Sequence, residues 1–142
     1  MFYSDLTYIL SPIILVFTAL FVLIIDFFTT RKIIILISAL VGLLLSVLIL
    51  LLQFINFETN QSVFFDTIIF DKFYLFSAIT LVLITFAILL AFYDYIVNQI
   101  SFRSEFISLI LLSLVGSLFV IMAIDFITIY LSLELSSLPI IA

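Results

Sequence analysis

One acidic residue stands where lipid makes acids costly. Glu134 sits eight residues into the last apolar stretch of the chain, about 12 Å along a helix that would cross a core of about 30 Å. Such a carboxylate carries a functional reading by default. Desolvation favours its neutral, protonated form, while a nearby cation or water favours the charged form. A group held between those two influences is suited to take up and release a proton. The plainer reading is a protonated Glu holding two helices together by a hydrogen bond.

Pro139 follows five residues later. Its ring removes a backbone donor and frees the carbonyl of Leu135, close to the level of Glu134. Ser136 and Ser137 add hydroxyls, and together these groups are expected to hold water beside the carboxylate. Asp125 precedes the same stretch and is expected to cap its helix. Asp26, Asp71, Asp94, Arg103 and Glu105 fall near the ends of apolar stretches, where interfacial solvation accounts for them. Cys and His are both absent, which removes disulfides, thiolate chemistry and the usual ligands of zinc, haem and iron–sulfur centres. No cofactor is expected on this chain. With no basic run, nucleic acid is not an expected partner.

The elements that must position these residues are membrane helices. The chain has 142 residues, 68% hydrophobic and 9% charged, with a mean hydropathy of +1.62. A soluble domain is about a quarter charged and must present a polar exterior. The composition therefore predicts an all-α integral membrane protein with about five transmembrane helices. The expected spans are 8–28, 33–54, 73–97, 106–124 and 126–142, in one membrane domain. A single helix over 106–142 would be roughly 55 Å long, so a turn is expected at Asp125. Between the second and third spans, Val63 to Phe70 is rich in β-branched and aromatic residues and is expected to be extended. The Phe-rich stretches are read as lipid-facing or as packing between helices.

Arg31, Lys32 and Arg103 fall on one side of this arrangement and Lys72 on the other, which predicts an outer N-terminus. No cleavable targeting sequence is expected, since the first apolar stretch lacks a basic flank and a small-residue cleavage site. Eighteen Phe beside two Gly and two Pro is what T-rich codons would encode, which favours an organelle-encoded protein.

The wording from Glu105 to Pro139 resembles the antiporter-like subunits of respiratory complex I, most closely subunit 2, called subunit N in bacteria. The matching pieces are Ser113 to Gly116, Asp125, and Leu133-Glu134-Leu135-Ser136-Ser137-Leu138-Pro139. Upstream, Asp71, Phe73 and Phe76 fit the family's start of the third helix, and Tyr95 lies near its aromatic at the end of that helix. The resemblance implies a proton-translocating role coupled to electron transfer from NADH to ubiquinone. In that family the Glu matched by Glu134 pairs with a Lys on a later, broken helix. It also implies the mitochondrial inner membrane as the location and the other membrane-arm subunits and lipids as partners, with NADH, FMN, iron–sulfur clusters and ubiquinone held elsewhere in the complex. Because the sequence stops near Pro139, it further implies an N-terminal piece of a split subunit, completed by a second polypeptide. A cation/proton antiporter subunit, and a membrane subunit that is purely structural, are the alternatives.

Overall fold

The computed structural model describes residues 10–28, 31–56, 61–63, 68–98 and 103–141. Apolar runs of this length have one low-energy form in lipid, the helix, which satisfies every backbone group internally. Accordingly the chain forms α1 (Leu10–Phe28), α2 (Lys32–Ile55), α3 (Lys72–Ala91), α4 (Tyr93–Asn98), α5 (Arg103–Met122) and α6 (Phe126–Ile141). A short hairpin, β1 (Gln61–Val63) and β2 (Ile68–Phe70), separates α2 from α3. Four of the helices, α1, α2, α3 and α5, are long and apolar enough to cross a membrane. The apolar α6, at 16 residues, is shorter. The protein is an all-α, multi-pass membrane protein.

Most boundaries follow from local chemistry. Asp71 caps α3: its carboxylate accepts the Tyr74 N–H at 2.8 Å, one of the donors a helix start leaves orphaned. Pro12 lies in the first turn of α1, where a missing N–H costs nothing. Asn56 closes α2, its N–H bonded to the Leu52 carbonyl at 3.0 Å. The extended piece expected over 63–70 is two antiparallel strands, with Gln61 opposite Phe70 and Val63 opposite Ile68. Residues 8 and 9 of the first expected span, 64–67 of the extended piece and Ala142 lie outside the described residues.

The third expected span, 73–97, is not one helix. It breaks at Phe92, whose backbone (φ −97°, ψ 21°) leaves the helical region, and α4 follows as a separate short helix. Phe92, Tyr93, Asp94 and Tyr95 together read as an interfacial band of aromatic and acidic side chains. In such a band interfacial water can serve the backbone groups that a broken helix frees, so the break at Phe92 is tolerated.

The bundle is organised around α5. From Ile107 to Met122 no residue of α5 is exposed. It packs on α1, α3 and α6, touches α2, and meets β2 at the hairpin end of the bundle. Ile107, Leu111 and Leu118 are fully buried along it. Lipid tails are as apolar as leucine, so helix association here depends on close packing rather than on escape from water. Small residues mark the tightest crossings, with Ala19, Ala39 and Ala78 buried between helices. At the α1–α2 crossing, a Cβ on Gly42 would stand 2.8 Å from Thr18 Cβ. By contrast Phe17, Phe27, Phe73 and Phe76 are exposed, on the outer surface that faces lipid or a neighbour.

Candidate functional site

The site is built on α6, so what seats α6 comes first. Asp125 stands at its N-terminus: the carboxylate accepts the Phe126 N–H at 2.9 Å, and the Asp125 carbonyl accepts the Ile129 N–H at 3.0 Å. The chain turns there without glycine or proline, using three residues between α5 and α6. The two helices then run back along each other, and α6 packs on α5 far more than on any other element.

Two sequence pieces that lie far apart in the chain meet at this interface. The Ser113 hydroxyl of α5 donates to the Ser136 carbonyl of α6 at 2.8 Å, across 23 positions of sequence. One turn away, a Cβ on Gly116 would lie 2.7 Å from the Leu135 carbonyl carbon and from Ser136 Cα, and would press on the Ser136 nitrogen. Only glycine lets the two backbones approach this closely. Ser132 completes the α5-facing side of α6. It is buried, and its hydroxyl turns back onto the Thr128 carbonyl at 2.7 Å.

This seat fixes where Glu134 lies. Two residues along an α-helix turn it by about 200°, so Glu134 lies opposite both Ser132 and Ser136, on the side of α6 turned away from α5. It is half-buried, halfway along the helix, between the exposed Tyr130 and Leu138. Among the described residues no Lys or Arg pairs with its carboxylate. Ser137 shares its side of the helix, is exposed, and directs its hydroxyl to the Glu134 carbonyl at 3.5 Å. Pro139 is half-buried inside the last turns of α6.

The structure therefore separates residues that the sequence grouped together. Ser136 does not stand beside the Glu134 carboxylate. Its hydroxyl bonds the Leu133 carbonyl at 3.2 Å, and its backbone is clamped against α5. The reason is helical phase, since a two-residue step reverses the face. Of the grouped residues, Ser137 shares the side of α6 that carries Glu134, whereas the Leu135 carbonyl carbon lies against Gly116 of α5. Ser132 was missed altogether. The signal that could have found it is the four-residue spacing of Thr128, Ser132 and Ser136, a stripe of small hydroxyl residues on one helix face. Among the described residues no cluster of three or more acidic groups could hold a metal ion.

No family model matches the chain. Over 127 residues, 89% of its length, it is 32% identical to a protein named NADH-quinone oxidoreductase subunit N 1 from Herpetosiphon aurantiacus. The chain is thus similar, over most of its own length, to part of that subunit N protein. That is the relationship expected from Ser113–Gly116 and Leu133–Pro139, the two pieces that touch in the fold. The chain spans about a quarter of that relative's length, 25%.

Proposed function

We propose that this chain is the N-terminal part of a subunit N-type protein in the membrane arm of a proton-translocating NADH:ubiquinone oxidoreductase, and that Glu134 is its proton-carrying group. The observation that carries this reading is the place of Glu134. An acid halfway along an apolar helix, half-buried and turned away from the helix that seats it, has little other use in a membrane. A lone charge so placed is costly, and a cation brought to that open side would offset the cost. Further helices, on this polypeptide beyond residue 142 or on a second one, supply that cation and cover Tyr130, Leu131 and Leu138, which are 62%, 60% and 56% exposed. Proton uptake and release at Glu134 then follow from the approach and withdrawal of the cation.

In this reading the other subunits hold the redox groups, and this chain contributes none. By the positive-inside rule, the side of the bundle that carries Arg31, Lys32 and Arg103 is the inner side of the membrane, and the side that carries Lys72 is the outer. A place in the mitochondrial inner membrane belongs to the same proposal and rests on the resemblance to complex I subunits, with the Phe-rich, Gly-poor composition in support.

The test replaces Glu134 by Gln in the assembled enzyme, reconstituted into sealed vesicles. The expected result is a lower proton-to-electron ratio, with NADH oxidation retained when the gradient is dissipated. An unchanged ratio would leave this chain a structural role only. Proton flux driven by a sodium or potassium gradient without NADH would point to an antiporter assembly instead.

A further inference from the structure

Serine and threonine hydroxyls inside apolar helices ordinarily turn back onto their own backbone. Nearly all of those described follow this habit, bonding a carbonyl three or four residues earlier: Thr18 to Ile14, Ser46 to Leu43, Thr85 to Leu81, Ser132 to Thr128. Ser113 does not. Its hydroxyl crosses to α6 and donates to the Ser136 carbonyl at 2.8 Å. The Ser113 carbonyl accepts in turn from the Ser117 hydroxyl at 3.0 Å, so the donor side is itself held. The bond falls where α6 is weakest, because Pro139 gives no N–H to the Leu135 carbonyl and the adjoining backbone lacks a rung of its ladder. Gly116 lies one turn further along α5 and, lacking a Cβ, lets the backbone of Leu135 and Ser136 approach closely.

From these contacts we infer that Ser113 and Gly116 are positioning residues for Glu134. They grip α6 at two points immediately after the acid and set the rotation of the helix, and therefore the direction of the carboxylate. Gly116 fixes the distance between the helices, and the Ser113 hydroxyl fixes the phase. Neither touches the carboxylate, since both lie on the opposite side of α6. The inference builds on the proton-carrying reading of Glu134, but its test does not depend on it.

This chain has no cysteine, so Glu134→Cys introduces a single thiol into it. In the assembled enzyme, the rate at which a small membrane-permeant maleimide modifies that thiol reports how α6 is turned. Ser113→Ala is expected to raise the rate about fivefold, the change in population that one ordinary hydrogen bond carries. Ser113→Thr, which keeps the hydroxyl, is expected to restore it. A control thiol from Leu48→Cys, on an exposed face of α2, is expected to show no change. An unchanged rate at position 134 in both Ser113→Ala and Gly116→Ala overturns the inference. So does an equal change at both thiols, which would mean general loosening, and so does failure of Ser113→Thr to restore the rate. A Glu134→Gln enzyme with an undiminished proton-to-electron ratio would sink the proton reading while leaving the labelling result standing.

Discussion

Replacing Gly116 by Ala adds one methyl group where two helix backbones meet. The new Cβ would stand 2.7 Å from Leu135 C and Ser136 Cα, against 3.4 Å for the closest ordinary contact, so α6 must retreat by at least 0.7 Å. A backbone cannot rotate out of the way as a side chain can. Overpacking of this kind costs about 1–3 kcal/mol, and the better helix propensity of alanine returns up to about 1 kcal/mol. The same retreat would stretch the 2.8 Å bond from Ser113 to Ser136 past useful length, which removes about 1 kcal/mol more. The expected net loss is about 2 kcal/mol. It is read as the thermal midpoint for release of this chain from the detergent-solubilised complex. Gly42→Ala is the matched comparison, because the group in its way is the side chain of Thr18. There Thr18→Ala removes the two nearest atoms and is expected to restore part of the loss, whereas truncating the Ser136 side chain cannot rescue Gly116→Ala. A Gly116→Ala protein as stable as the parent would refute the close-approach argument, and so would rescue of that variant by Ser136→Ala.

Other residues give sharper or simpler contrasts. Asp71→Ala removes the cap on the Tyr74 N–H and should destabilise the protein by about 1 kcal/mol, with Asp71→Asn or Asp71→Ser recovering most of it in the same melt. Leu118→Ala, at a fully buried site on α5, should cost about 2 kcal/mol or more through the cavity it leaves, whereas Leu48→Ala, at a site 56% exposed, should stay within about 0.5 kcal/mol. Pro139→Ala gives the Leu135 carbonyl its missing donor. It should slow amide hydrogen exchange in the last turns of α6 and lower the proton-to-electron ratio, if the gap beside Glu134 serves water; slower exchange with an unchanged ratio would reduce Pro139 to a helix kink.

Length and apolarity made the spans legible before any coordinates, and the turn at Asp125 was legible because one helix over that whole stretch would overrun the bilayer. Glu134 stood out for a related reason, since an acid is conspicuous among apolar residues, and its role as a proton carrier is a proposal. The packing order was not. In a soluble bundle the polar face of each helix reveals its inward side, but here the outward face meets lipid and is as apolar as the inward one, as Phe17 and Leu48 on the outside and Leu15 and Leu43 on the inside illustrate. Only the small residues betray the contacts, and Ser113 and Gly116 were visible as wording without showing what they touch. The break at Phe92 was hidden because no glycine or proline marks it and the hydropathy of the stretch runs through it. Ser136 was misplaced beside Glu134 because nearness in sequence is not nearness on a helix.

The helix that organises this bundle is made after three of the helices that pack on it. α1, α2 and α3 leave the ribosome before α5 exists, yet α1 packs on α5 about as closely as on its own neighbour α2. During synthesis the first three spans must therefore wait in the bilayer around an unfilled centre, with Leu15, Ala19 and Val22 facing lipid or one another until Ile107–Met122 arrives. Contacts that span most of the chain also close late, since each must bring together segments many residues apart. A product truncated before residue 103 would keep the α1–α2 and α2–α3 contacts but lack the helix on which α1 and α3 also pack, and a membrane protease is expected to clear it faster than the full chain. Assembly of the described bundle is thus governed by α5, although α1, α2 and α3 are laid down before it appears.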